Sequence, residues 1–448
     1  MDKKSDSQKK TNQQSISRRQ FLTRTTVATA GAVAFPMIVP ASALGLDGTV
    51  APSNRINMGC IGVGSQGTGN LGGFLNNPNM HFLAVADVER PHRNRAKKMI
   101  DQRNENTDCD TYNDFRDLLE RDDLDALSIA VPDHWHSIPA IQAANKGLDM
   151  YAEKPLALTI AEGRAMVDAV QENKVVWQTG SWQRSQSHFR HACELVRNGY
   201  IGEVHKVEVG LPTGNPLKEP TPPAEVPDGF DYDFWLGPAP WAPYTKLRCH
   251  WNFRWILDYS GGQLTDWAAH HCDIFNWGMG TEATGPLNAE GTGNFPREGI
   301  WDAAMDYMIK YNYAPGASPV APKGFELHVS NSFGMGARFY GSEGEIYVKR
   351  GKLVSKPGKL KDIEIKDSDT RLYKSTNHGQ NFVDCVRSRE KCIAPIEAAH
   401  HAIAIAHLGN ISMRLGRKVQ WDAKKEEFVN DPQADRMLKR AMRGEWHI

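Results

Sequence analysis

This chain predicts an α/β protein of two domains, the first a doubly wound parallel sheet built to hold a dinucleotide. Three observations carry the prediction. The apolar run at 55–61 ends in Gly62-x-Gly64-x-x-Gly67, a second apolar run at 81–86 ends on Asp87, and strand-like and helix-like stretches alternate as far as about Lys174. Glycines at that spacing tighten the turn and let backbone N–H groups approach a pyrophosphate at a helix start. Asp87 stands twenty residues beyond Gly67, where the adenosine ribose hydroxyls need an acceptor. A carboxylate there repels a 2′-phosphate, so NAD is expected, while Arg90 and Arg93 keep NADP open.

Residues 1–43 read as an export signal. Lys3, Lys4, Lys9 and Lys10 make a basic head, and Ser17-Arg18-Arg19-Gln20-Phe21-Leu22 is a twin-arginine motif. An uncharged stretch at 25–40 leads to Ala41-Ser42-Ala43, small residues suited to cleavage. Its apolar part, about 15 residues rich in Ala, Gly and Thr, is short for a membrane span. The expected location is therefore periplasmic or otherwise exported, with the twin-arginine translocase as a transient partner. That route carries folded proteins, so a cofactor can be loaded before export.

The dinucleotide-binding domain is set at 52–175. Residues 112–119 read as a short helix and 126–131 as a buried strand running into Pro132-Asp133-His134-Trp135-His136. A helix over 138–145 and a strand over 149–152 follow, the latter leading to Glu153-Lys154-Pro155. Ligands of such sheets sit beyond the carboxyl ends of the strands. Gln66 in the glycine turn, with Pro132, His136, Glu153 and Lys154 on the same rim, are thus candidate cofactor contacts.

The second domain is set at 176–448. Residues 211–243, crowded with proline and glycine, read as a surface excursion, and Gly261-Gly262 opens a helix. Segments 302–313, 325–333 and 336–349 look like antiparallel strands, 395–415 like a helix and 418–421 like a last strand. Nine of the twelve tryptophans fall between 177 and 301, so most are expected in core or interface, and flat aromatic faces in a cleft would suit sugar rings.

Lys plus Arg equals Asp plus Glu at 53 each, which excludes a global field drawing in nucleic acid. Seven cysteines without a CxxC pair make neither a disulfide framework nor a zinc site. An exported chain could form one bridge, and the sequence does not choose it. Asp266 and His270, four apart on the predicted helix, share a face and can orient a substrate and pass a proton. Lys154 at a strand end can exchange a proton with a substrate hydroxyl. His270, His271 and Asp273 do not suggest a metal, because adjacent helical side chains point about 100° apart. Softer candidates for substrate contact are Gln183, Arg184, Arg254, Trp255 and His378.

Together the Gly62–Gly67 turn, the 132–136 segment, Glu153-Lys154-Pro155 and Gly261-Gly262…Asp266-x-x-x-His270 resemble the glucose–fructose oxidoreductase/inositol dehydrogenase (Gfo/Idh/MocA) family, over nearly the whole mature chain. The resemblance implies a Rossmann domain followed by a C-terminal α/β domain with a large open, mainly antiparallel sheet, and a homo-oligomer. It also implies a catalytic set of Lys154, Asp266 and His270, with His270 as acid/base. The chain departs at Asp133, where the family often carries asparagine, and in the long 211–260 segment. The expected protein is an exported NAD(P)-dependent oxidoreductase of a sugar or polyol, its cofactor held tightly and recycled in place. An alternative resembles the NAD-dependent glycosidases, which oxidise, eliminate and re-reduce; those lack the lysine of the E-K-P segment. A non-catalytic binder would have no use for all three polar groups.

Overall fold

The computed structural model describes residues 50–217 and 220–448, so the predicted signal at 1–43 lies outside the described residues. The first domain alternates β1 (Ile56–Ile61), α1 (Ser65–Leu75), β2 (Met80–Ala86), α2 (Arg90–Asn104), β3 (Asp110–Tyr112), α3 (Phe115–Leu119), β4 (Ala126–Ile129), α4 (Ser137–Asn145), β5 (Asp149–Ala152), α5 (Ile160–Glu172) and β6 (Trp177–Thr179). All six strands are parallel, in the order β3-β2-β1-β4-β5-β6. Strands β4, β5 and β6 are buried at every position, as a parallel sheet covered on both faces requires. The sheet closes with β6, a few residues past the expected boundary at 175.

Two glycines make the β1–α1 turn possible. Gly62 has φ +80°, and a Cβ there would come within 2.5 Å of the Ala130 carbonyl oxygen. A Cβ on Gly67 would lie 2.0 Å from the Gly62 carbonyl oxygen. The helix start therefore presses against the strand end with no room for a methyl group.

The second domain contains α6 (Ser187–Arg197), β7 (Val204–Gly210), α7 (Tyr232–Leu236), α8 (Gly262–Met279), β8 (Asn288–Asn294), β9 (Asp306–Tyr313), β10 (Phe325–Ser330), β11 (Gly336–Gly341), β12 (Glu345–Lys349), β13 (Lys352–Lys356), α9 (His378–Ser388), α10 (Ile396–Leu415), β14 (Val419–Asp422) and β15 (Glu427–Phe428). Its nine strands run β13-β12-β11-β7-β10-β9-β8-β14-β15, antiparallel except for the β7–β10 pair. Alternate residues of β9 are buried, so one face of this sheet is covered. Helix α8 lies on that face between α6 and α10 and is buried nearly all round. The stretch 336–349 is two strands rather than one, because it folds back between Gly341 and Glu345. The strand expected last, β14, is followed by β15.

The excursion predicted for the surface does something else. Phe230, Tyr232, Trp235, Leu236, Tyr244, Phe253, Trp255 and Tyr259 form an apolar cluster of their own. This strap crosses to the first domain: Arg90 N–H donates to the Gly229 carbonyl at 2.7 Å and Asp231 N–H to the Val88 carbonyl at 2.9 Å. The Asn113 amide donates to Asp231 Oδ2 at 2.8 Å, and the indole N–H of Trp135 to the Trp235 carbonyl at 2.8 Å. Aromatic residues spaced through a proline-rich stretch gave no helix or strand periodicity, yet they bury as a unit.

The Gly67 contact yields a direct test. Gly67→Ala should force the turn apart, costing about 2–3 kcal/mol in urea unfolding and leaving purified protein with little bound dinucleotide.

Candidate functional site

A cleft of about 580 Å³ runs along the carboxyl ends of the parallel strands. Gly62, Gly64, Gln66, Asp87, Pro132, Asp133, Glu153 and Lys154 line one side, and Phe230, Trp235, His250 and Arg254 of the strap line the other. The residues present fit a dinucleotide. Gly64 caps α1 without a side-chain hydrogen bond, so the first-turn N–H groups remain available to an anion. A Cβ on Gly64 would meet nothing closer than His92 at 3.8 Å, which leaves the backbone open to a close approach. Asp87 is fixed by the Val63 N–H at 2.7 Å and the Glu89 N–H at 2.9 Å, with its carboxylate on the cleft. Glu153 Oε1 accepts from the side-chain amides of Gln66 and Asn70, each at 3.1 Å, which ties the start of α1 to the end of β5.

At the other end of the cleft the two domains meet through charge. Lys154 Nζ donates to Asp266 Oδ1 at 2.7 Å, and Arg254 Nε stands 3.6 Å from Asp266 Oδ2. Burial pushes the Asp266 carboxyl up, but the Lys154 and Arg254 cations outweigh it and hold it below the usual carboxylate range. His270 lies one turn further along α8. Burial, with Lys154 and Arg350 nearby, holds its imidazole well below the usual histidine range, so it is neutral. Its Nδ1 is buried with no hydrogen-bond partner among the described residues. A neutral imidazole with a free nitrogen beside a fixed ammonium–carboxylate pair can accept a proton from a bound hydroxyl.

Asp133 is a member of this group that sequence reasoning passed over. It is buried, accepts from Ser260 Oγ at 2.6 Å and lines the cleft. Burial, together with the Asp266 charge, pushes its carboxyl up to about 7 against the bond from Ser260. The signal was its presence where the family often has asparagine. Arg350, in the turn between β12 and β13, acts on His270 through its charge and was also missed, being far from any motif.

Several expected contacts lie elsewhere. His136 is buried and its Nε2 pairs with the Val131 carbonyl at 2.8 Å, so it braces the β4–α4 turn and does not line the cleft. Gly67 serves packing, as described. Arg184 is buried in a fork with Asp273, at 2.7 Å from each oxygen, and reaches Glu282, so its charge is spent on structure. His378 bonds Thr179 and Ser185, each at 2.8 Å, and locks α9 onto β6. Gln183 is buried 3.5 Å from His271, and Trp255 packs against Trp301. Of the softer candidates only Arg254 reaches the cleft. A motif position shows which residues are near a rim but not which way their side chains turn.

Residues 56–181 match a family model described as oxidoreductase family, NAD-binding Rossmann fold, and residues 185–448 match the model of its C-terminal alpha/beta domain. The first domain is therefore a NAD-binding Rossmann domain. The chain is similar to a glycosyl hydrolase family 109 protein of Shewanella baltica, 29% identical over 206 residues, or 42% of this chain and 44% of that one. The match thus spans less than half the length of that relative. It is also similar to the scyllo-inositol 2-dehydrogenase (NAD(+)) of Bacillus subtilis, 26% identical over 321 residues, or 69% of this chain and 81% of that one. Among solved structures, the WlbA dehydrogenase of Bordetella pertussis in complex with NADH and UDP-GlcNAcA shares the fold, with a TM-score of 0.59 at 16% identity over 82% of this chain and 99% of that one.

The raised Asp133 carboxyl sets a pH dependence whose sign follows from linkage. The folded state holds a proton that the unfolded chain releases near the ordinary value of 3.8, so stability falls as pH rises from there through about 7. Asp133→Asn should remove that slope, gaining on the order of 2–3 kcal/mol at pH 8 relative to pH 5 in urea melts at matched cofactor content.

Proposed function

This chain belongs to the Gfo/Idh/MocA oxidoreductase family, and on that footing we propose that it is an exported enzyme that oxidises a secondary alcohol of a sugar or related polyol. The observation that carries the reading is the Lys154–Asp266 contact at 2.7 Å, with the unpartnered Nδ1 of His270 one turn away, at the end of a NAD cleft. NAD bound in that cleft supplies the hydride acceptor. Asp266 and Lys154 fix the reacting hydroxyl, and His270 takes its proton at Nδ1. Pro132, Asp133 and the strap exclude water from the same place.

We read the cofactor as captive. The strap bonds to Val88, Arg90 and Asn113 beside Asp87 and covers the adenosine end, and the twin-arginine signal would send the folded holoprotein where free NAD is scarce. A second sugar or an intermediate of the same substrate then returns the hydride. A homo-oligomer resting on the outer face of the large sheet, where Arg338 stacks 4.6 Å over Tyr347, belongs to the same proposal.

A second reading is net hydrolysis of a glycoside through transient oxidation, elimination and re-reduction. The similarity to glycosyl hydrolase family 109 proteins favours it. Lys154, seated against Asp266, favours net redox.

Mass spectrometry and absorbance of denatured, purified protein should find close to one NAD(H) per chain. His270→Ala should keep that cofactor and lose at least about 100-fold in turnover, the size of a general-base contribution. Protein that purifies empty and reduces added NAD with free sugar would end the captive reading, and unchanged turnover in His270→Ala would end the catalytic one.

A further inference from the structure

Arg350 is a cation without a counterion. Its guanidinium carbon lies 4.6 Å from the ring centre of Trp182 and 4.6 Å from that of Trp267, so the group is held between two indoles. It forms no ion pair and no hydrogen bond among the described residues. Stacking uses the faces of a guanidinium and leaves its N–H edge unspent.

Through the Trp267 indole the position neighbours the proposed reacting groups. Trp267 follows Asp266 on α8, and its ring stands 5.6 Å from that of His270. Arg350 is close enough to Asp266, His270 and His271 for its charge to act on each. Lys154 and Arg254 contact the Asp266 carboxylate, and its charge reaches Arg350 from further off. Lys154 and Arg254 already share that carboxylate. A guanidinium with an unspent N–H edge, set against two indoles beside the reacting groups, matches one kind of sugar.

We propose that the substrate of this site carries a carboxylate, as a uronic acid or glycosiduronate does, and that Arg350 holds it in a bidentate pair between Trp182 and Trp267. The proposal rests on the redox reading of the same site. It adds a specificity determinant: the indoles hold the guanidinium, and the guanidinium takes the acid.

The test uses the holoenzyme and matched pairs of methyl glycosides and methyl glycosiduronates of the gluco, galacto and manno series, read as reduction of the bound cofactor at 340 nm. In at least one pair the acid should reduce the cofactor with a second-order rate constant ten or more times that of its neutral partner. Arg350→Met should collapse that ratio toward one by raising the concentration at which the acid saturates, and Arg350→Lys should recover part of it. Arg350 is exposed in a hairpin turn, so these variants should fold, and quenching of tryptophan fluorescence by the acid gives a binding readout independent of turnover. Neutral sugars that match or exceed their acids in every pair, or a ratio that survives Arg350→Met, would overturn the proposal. If no sugar of either kind reduces the cofactor, the redox reading itself fails and takes this inference with it. Reduction by phosphorylated or sulfated sugars in preference to carboxylates would overturn the carboxylate assignment while leaving the anion site.

Discussion

The Lys154–Asp266 ion pair is the constraint on which the site depends, because each partner comes from a different domain. Lys154 stands at the end of β5, in a parallel sheet whose register fixes it against the glycine turn through Glu153. Asp266 stands in the first turns of α8, which is clamped between α6, α10 and the large sheet. Both side chains are largely buried, and removing one partner of such a pair typically costs about 3–5 kcal/mol because the other charge is stranded. The pair therefore sets how the domains meet at the cleft and what the cleft is made of.

Around that pair the protein separates charged from neutral groups by burial. Asp266 keeps its charge because cations contact it, whereas in Asp133 burial and the Asp266 charge outweigh the Ser260 bond and the pull of Arg254 and Lys154, and it is driven up. His270 is kept neutral by burial and by its cationic neighbours. Two carboxyls and one imidazole within a short reach thus hold different protonation states at one pH. The division follows from which side chains face each group, not from residue type.

How far this was legible in the sequence depends on the scale of the forces. The parallel sheet announced itself, since Gly62, Gly67 and Asp87 are local necessities of one turn and the strand after it. Lys154, Asp266 and His270 were legible because motif and helical spacing place them, and the structure brings the first two into contact. Arg184 and His378 were misjudged for one shared reason: their partners, Asp273 and Thr179, are distant in sequence, and only the fold shows that their polar atoms are already satisfied. The strap failed differently. Its aromatic residues bury through contacts among irregular turns, which leave no periodicity to read, and Gly237 sits against the Trp135 ring where a Cβ would lie 1.9 Å away.

That strap bears on how a cofactor is chosen. Its backbone bonds to Val88 and Arg90 belong to the completed tertiary structure, and they lie within three residues of Asp87 on the cleft. An open cleft would sample dinucleotides and settle on whichever binds most tightly. If the strap holds the dinucleotide captive, as proposed above, the cleft instead keeps what was inside when the strap docked. Occupancy would then record the nucleotide pool at the moment the chain closed, so that expression host and growth state decide composition as much as affinity does.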